Sequence, residues 1–332
     1  MHAVNGASSS HRVRVGVAGV GVLGYHHARL LCQLPVAQVV GVYDRRANRA
    51  AEVAAELGVV AFPSLEALIE AVDALIVAVP STAHRAVAEP ALAAGRHVLV
   101  EKPLAAHPDD ARALVDMARA QGVVLATGHV ERYNPVLRAC TPWLDRPRFI
   151  ESHRLAPFTP RGIDVDVVLD LMIHDIDLVL HLVGSPVARV DAVGVPVLTS
   201  QIDIANARVT FANGAVANIT ASRVSRERLR KLRLFQPSGY LSLDLARGCG
   251  EFLRLRDAAG HRPADPADWL ERHEIRSDGV EPLRGELEAF LQAVLGDPSA
   301  PVVPGEAGLR AVEVAWEIAS AIDRARPLLE GR

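Results

Sequence analysis

Val13-Arg14-Val15-Gly16-Val17-Ala18, followed at once by Gly19-Val20-Gly21-Val22-Leu23-Gly24, decides the fold. The first six residues form a short, largely apolar run of the kind found in strands covered on both faces. The glycines that follow have the spacing G-x-G-x-x-G. In a strand-turn-helix unit the first such glycine makes the tight turn, the second admits a pyrophosphate against the backbone, and the third lets the helix pack on the strand. The helix N-terminus then offers free N–H groups and partial positive charge to phosphates. Gly19, Gly21, Val22, Leu23 and Gly24 are therefore the expected cofactor contacts. The next strand, Val39–Tyr43, ends at Asp44, about 20 residues past Gly24, where a carboxylate accepts hydrogen bonds from a ribose and repels a 2′-phosphate. That spacing favours NAD. Arg45 and Arg46 directly follow and suit a 2′-phosphate, which leaves NADP possible.

Outward from this unit, apolar strands alternate with alanine-rich helices. Val13–Ala18, Val39–Tyr43, Ala74–Val79, Val98–Val100 and Val123–Ala126 read as strands; Gly24–Leu34, Asn48–Leu57, Ala83–Ala94 and Pro108–Gln121 read as helices. Such alternation implies an α/β fold, a doubly wound parallel sheet with right-handed crossovers. The second half changes grammar. After a helical stretch at Val167–Val183 come Val187–Val197, Ala205–Phe211, Ala215–Ser222, Leu229–Phe235 and Tyr240–Leu245, with the hairpin signal Asn213-Gly214 between two of them. These predict an α+β domain with a mostly antiparallel sheet, one face on helices and the other open to a partner subunit. Helices near Gly285–Leu295 and Glu306–Ala325 finish the chain. The expected organisation is a disordered tail over 1–11, a dinucleotide-binding Rossmann domain over 12–127, and a substrate-binding and oligomerisation domain over 128–332.

Composition excludes several classes of function. The chain has 332 residues, half of them hydrophobic, and a formal net charge of −3, so no global field favours nucleic acid or an anionic membrane. The opening MHAVNGASSSHR lacks the apolar core of a signal peptide. No apolar run approaches the ~20 residues needed to span a bilayer. The three cysteines, Cys32, Cys140 and Cys249, are scattered and odd in number, and read as reduced, buried thiols of a cytoplasmic protein.

Three further motifs carry chemistry. Glu101-Lys102-Pro103 closes the strand Val98–Val100, and the carboxyl ends of parallel strands are where ligands bind. A lysine there is placed to meet the reacting end of a nicotinamide, and Glu101 and Lys102 join the expected cofactor contacts. Pro80-Ser81-Thr82-Ala83-His84 ends another strand. Ser81 or Thr82 is placed to cap the next helix or to contact the cofactor, with Pro80 and His84 beside them, and these roles are compatible. Asp170 and His174, four apart on one helix, share a face. A carboxylate beside an imidazole orients the ring and favours its protonated form. Their helix is otherwise apolar and also carries Asp175 and Asp177, an expensive arrangement without a purpose. A metal held by His174, Asp170 and Asp175 is the lesser reading, since no further His or Cys cluster has ligand spacing, and no metal is expected.

The glycine fingerprint, Glu101-Lys102-Pro103, Arg132-Tyr133-Asn134-Pro135 and the Asp170–His174 helix resemble the Gfo/Idh/MocA oxidoreductases in order and spacing. The resemblance covers about residues 12–328, including Gly239-Tyr240-Leu241-Ser242-Leu243-Asp244-Leu245. It implies an NAD(P)-dependent oxidoreductase with a Rossmann domain and an open-faced sheet domain, assembled as a homodimer or homotetramer. It also implies that Lys102, Asp170 and His174 form the catalytic group. The family's glycines around the aspartate are replaced here by Asp164-Val165-Asp166-Val167 and Met172, which alters the expected pocket.

Gly128-His129-Val130-Glu131 with Arg132-Tyr133-Asn134-Pro135, Glu151-Ser152-His153-Arg154, and Arg161-Gly162 resemble a subgroup acting on nucleotide-activated amino sugars. The expected reaction is oxidation at C3 of UDP-N-acetylglucosamine, coupled to a PLP-dependent aminotransferase in lipid A or surface-polysaccharide synthesis. Arg132, Arg154 and Arg161 are planar cations suited to a diphosphate, and each could instead make a structural ion pair. Tyr133 and Asn134 complete the expected substrate contacts with Lys102, Asp170 and His174. The base is His174, with Lys102 stabilising the oxyanion, or Lys102 with His174 as relay. The same chemistry on myo-inositol, a free sugar or a UDP-glucuronic acid derivative is the first alternative. A non-catalytic dinucleotide or sugar sensor is the second. The arginine cluster Arg223, Arg226, Arg228, Arg230, Lys231 and Arg233 divides between two strand faces, which argues against a nucleic-acid patch.

Overall fold

The computed structural model describes residues 12–159, 165–256, 265, 269–277 and 279–329. The chain forms two compact units: one reaches to Ala105 and adds Asp109–Gly128 and Leu283–Gly305, and the other comprises Ala106–Pro108, His129–Pro282 and the stretch from Glu306 onward.

The first unit alternates β1 (Val13–Ala18), α1 (Val22–Leu31), β2 (Ala37–Tyr43), α2 (Ala47–Leu57), β3 (Val60–Ala61), α3 (Leu65–Ala71), β4 (Ala74–Val77), α4 (His84–Ala93), β5 (His97–Glu101), α5 (Pro108–Gln121) and β6 (Leu125–Gly128). The strands pair in parallel in the order β3-β2-β1-β4-β5-β6. The expected doubly wound sheet is therefore present, and its order reverses between β1 and β4, where the crevice of such folds opens. Two elements went unread in the sequence. β3 is too short for any pattern, and α3 is a brief helix capped by Ser64, whose Oγ accepts the Ala67 N–H at 3.2 Å.

The second unit carries α6 (Pro135–Ala139), β7 (Phe149–Leu155), a π-helical turn (Val168–Met172) running into α7 (Ile173–Val183), and β8 (Val187–Val195), β9 (Ile204–Phe211), β10 (Val216–Ser222), β11 (Leu229–Gln236), β12 (Gly239–Asp244), β13 (Cys249–Leu255) and β14 (Leu270–Arg276). Its sheet runs β14-β13-β12-β11-β7-β10-β9-β8. Every pairing is antiparallel except β7 with β10, and α7 packs on the sheet at that seam. The Asn213-Gly214 turn joins β9 to β10, with Gly214 at φ +83°.

Helices α8 (Pro282–Val294) and α9 (Gly305–Leu329) close the chain. Here the expected division at 127/128 needs correction: α8 belongs to the first unit. Leu287, Phe290 and Leu291 are buried in one core with Val13, Val15 and Val17 of β1. Burying such a side chain contributes about 1.5–3 kcal/mol, enough for three of them to draw the helix back. Among the cysteines only Cys140 is buried, its thiol pushed up to about 12 by burial, whereas Cys32 and Cys249 are exposed, contrary to expectation. Among the described residues no helix is long and apolar enough to cross a membrane.

Candidate active site

Each glycine of the fingerprint has its own physical reason. Gly19 lies at φ +86° and donates its N–H to Tyr43 O at 2.7 Å. A Cβ on Gly24 would stand 1.8 Å from Gly19 O, so a larger residue would force α1 off β1. A Cβ on Gly21 would meet no atom within 4 Å, which leaves an open backbone cradle at the α1 N-terminus. Val22 and Leu23 beside it are 63% and 42% exposed, apolar side chains held at the mouth of that cradle. Asp44 Oδ2 accepts the Val20 N–H at 3.0 Å and Oδ1 the Arg46 N–H at 2.9 Å. The carboxylate thus ties the glycine loop to the end of β2 and keeps lone pairs for a ribose. Arg45 stays exposed. Cradle, helix N-terminus and acid fit a dinucleotide.

At the end of β4, Pro80 and Thr82 are exposed and Ser81 is half-buried. Neither hydroxyl caps α4, which has no side-chain cap. His84 departs from its expected role as a cofactor contact. It is buried, with Nδ1 2.8 Å from Pro103 O and Nε2 2.9 Å from Val79 O. Both ring nitrogens face backbone carbonyls, so the ring sits between the end of β4 and the loop after β5 and donates its N–H to one of them. Burial pushes the imidazole below its ordinary range, while the carbonyls and Glu101 pull it the other way.

Glu101 is likewise turned inward rather than toward a cofactor. Its Oε1 lies 2.6 Å from His27 Nε2, and its Oε2 accepts the Lys102 N–H at 3.2 Å. It therefore holds the backbone of the half-buried Lys102 at the carboxyl end of β5. Glu286 of α8 completes this group: polar atoms of His27, Glu101 and Glu286 all lie within 4.8 Å of one another. Burial, reinforced by the negative Glu101, holds Glu286 well above the usual carboxylate range. The 2.6 Å contact between His27 and Glu101 marks a hydrogen bond, because two ligands ~2.1 Å from one tetrahedral ion sit ~3.4 Å apart.

In the second unit Asp166 Oδ1 accepts the N–H groups of Val168 and Leu169 at 2.8 and 3.0 Å, starting the π-helical turn within the expected helix. Such turns recur at functional sites. This one places Asp170, and α7 places His174, on the wall of one cavity of about 200 Å³, with Arg154, Arg223, Arg228 and Arg230. Asp175 and Asp177 are buried and serve other partners. Asp175 accepts from Ser152 Oγ at 2.6 Å and from Arg154 Nε at 2.5 Å, which removes it from any metal set with His174.

The other expected substrate contacts are mostly structural. Arg132 grips Asp177 with Nε and Nη2 at 2.7 and 2.6 Å. Tyr133 is buried. Asn134 caps α6 through Val136 N–H at 3.2 Å and donates to Leu245 O at 3.0 Å. Arg154 lines the cavity, yet its Nη1 reaches Glu131 Oε1 at 2.9 Å while Nε holds Asp175. Burial raises the Glu131 carboxyl, but Arg154 and Arg230 outweigh it and hold it below the ordinary range. Arg161 lies outside the described residues. Sequence reasoning missed His27 and Glu286, which no local motif marks. It also read Arg228 and Arg230 only as part of a cluster. That cluster does divide: Arg230 shares a face with the buried Leu232 and Leu234, whereas Arg233 on the other face pairs with Glu151 at 3.4 Å.

A dinucleotide cradle with a lysine at the sheet's carboxyl edge, in a chain whose other unit carries an Asp–His cavity, defines an oxidoreductase acting on CH–OH groups. Known proteins agree. The model of the oxidoreductase family with an NAD-binding Rossmann fold matches residues 13–129, and that of the GFO/IDH/MocA C-terminal domain matches residues 142–241. The chain belongs to the GFO/IDH/MocA family, and its first unit is an NAD-binding Rossmann domain. It is 41% identical over 318 residues to a UDP-N-acetylglucosamine 3-dehydrogenase of Acidithiobacillus ferrooxidans, covering 94% of this chain and 97% of the relative. A solved structure of that dehydrogenase superposes with a TM-score of 0.86 at 40% identity, covering 94% of this chain and 98% of the other. A myo-inositol 2-dehydrogenase of Thermotoga maritima is 27% identical over 335 residues, 95% of this chain and 97% of its own.

Proposed function

We propose that this enzyme oxidises a secondary hydroxyl of a nucleotide-linked amino sugar to a ketone, at C3 of UDP-N-acetylglucosamine. The observation that carries this reading is the cavity where Asp170 and His174 share walls with four arginines. Two of the four, Arg228 and Arg230, keep exposed charge for which a neutral polyol has no use. The near full-length likeness to a UDP-N-acetylglucosamine 3-dehydrogenase supports the same substrate.

NAD, when bound, supplies the hydride acceptor, with Gly21 and the α1 N-terminus at its pyrophosphate and Asp44 at its ribose. His174 takes the hydroxyl proton and Asp170 orients the imidazole. Lys102 places positive charge on the oxygen as the carbonyl forms. Glu101 fixes the Lys102 backbone. The ketone suits a PLP-dependent aminotransferase as the next step, and a second copy of the chain on the open sheet face completes the assembly.

The test is absorbance at 340 nm with NAD and UDP-N-acetylglucosamine, with a partner aminotransferase removing the ketone. NADH formation that requires the UDP-sugar is the expected result. No signal from NAD-competent enzyme under active coupling would overturn the substrate and return the inositols and uronates.

A further inference from the structure

We propose that Arg228 and Arg230 form the subsite that receives the substrate's diphosphate, a role the sequence had placed on Arg132, Arg154 and Arg161. The inference rests on the nucleotide-sugar reading above and names the cations that would serve it.

An arginine that binds a phosphate must keep its guanidinium fork open to the ligand. Arg132 does not, because Asp177 takes it in a two-point grip. Arg154 is buried between Asp175 and Glu131. Arg223, also on the cavity wall, is buried with Nε on Asp203 at 2.9 Å and Nη1 on Val165 O at 2.7 Å. The two remaining arginines of the cavity differ. Arg228 is exposed, and its charge is felt by the neighbouring Arg230. Arg230 keeps 41% of its side chain exposed and shares Glu131 with Arg154, at 3.2 Å.

Register sets two cations side by side. Arg230 on β11 stands directly opposite Arg154 on β7, so two guanidiniums share one face. Like charges placed opposite each other across a ladder are destabilising. One carboxylate, Glu131, bridges both. Burial lowers Arg230 from its ordinary range; Glu131 and Asp175 oppose that, while Arg154 and Arg228 add to it. A dianionic group at the Arg228–Arg230 rim relieves that repulsion. Arg228 lies in the loop just before β11, and it lines the same cavity as Arg230. The cavity of about 200 Å³ is smaller than the ~300–1,000 Å³ that engulfs a drug-sized ligand. It takes one ring-sized group and leaves the diphosphate at the mouth, where these arginines stand.

Calorimetric titration of the full chain, saturated with NAD so that the glycine cradle is filled, with uridine diphosphate and then UDP-N-acetylglucosamine, tests this. Arg228→Gln and Arg230→Gln are each expected to weaken both ligands about tenfold or more, with thermal melting of Arg228→Gln unchanged. Arg226→Gln, exposed in the same loop but off the cavity wall, is expected to bind as the parent does. Unaltered affinity in Arg228→Gln and Arg230→Gln, with a parent that binds, would overturn the subsite and leave the substrate class standing. Equal weakening by Arg226→Gln would replace the subsite with a diffuse field. A parent that binds neither ligand would overturn the nucleotide-sugar reading itself.

Discussion

His27 Nε2 and Glu101 Oε1 lie 2.6 Å apart, both nearly out of water, and the other oxygen of Glu101 accepts the backbone N–H of Lys102. The proposed catalytic lysine therefore hangs from a buried acid–imidazole pair, with the buried Glu286 beside it.

Glu286 gives this group a pH signature. Its folded-state value lies above the unfolded one, so between the two values the folded chain binds more protons than the unfolded chain. Stability is then complete below the unfolded value of ~4.3 and declines as pH rises through the folded value. Glu286→Gln keeps the shape and removes that titration. Urea unfolding from pH 5 upward is expected to show the variant gaining on the parent as pH rises; parallel curves would refute the raised value.

Lys102→Ala and His174→Ala are each expected to lower kcat by two orders of magnitude or more. NAD affinity, set by the cradle at Gly19–Gly24, should remain measurable in both. Turnover like the parent's in either variant would remove that residue from the mechanism.

Gly21→Ala and Gly24→Ala separate binding from folding. The added methyl at Gly24 meets the Gly19 carbonyl and should destabilise the chain by about 1–3 kcal/mol, read by thermal melting. At Gly21 it enters open space, so melting without cofactor should match the parent while NAD binds more weakly. Undiminished NAD affinity in Gly21→Ala would place the pyrophosphate elsewhere.

Arg154→Ala leaves Asp175 without its guanidinium partner and removes a cation from Glu131. Breaking a buried pair on one side costs about 3–5 kcal/mol. Urea unfolding should register that loss, and a change below ~1 kcal/mol would mean that Arg154 is not a structural ion.

The first unit was legible because its signals are local. Glycine spacing, an acid at a strand end, and apolar runs between helices all act within one βαβ crossover. The second unit was read less completely. β7 escaped notice because its buried face carries, beside Ile150, the polar Ser152 and Arg154, which α7 satisfies through Asp175. β13 and β14 escaped because they are charged ribbons joined by Arg254–Glu271 and Arg272–Glu251 pairs rather than by an apolar face. α8 was found as a helix but assigned to the wrong unit, since its apolar stripe does not say which sheet it will meet.

By itself the sequence determined the glycine turn of the cradle and the change from a parallel to an antiparallel architecture, and it singled out Lys102, Asp170 and His174 for the proposed chemistry. Backbone freedom at glycine and side-chain periodicity follow from neighbours a few positions away. Tertiary structure alone decided which charges are occupied. Arg132 meets Asp177, Arg154 meets Asp175, and His27 meets Glu101 across long stretches of chain. Strand register and helix packing choose those partners, because a charged side chain taken out of water must find its counter-charge wherever the fold brings one.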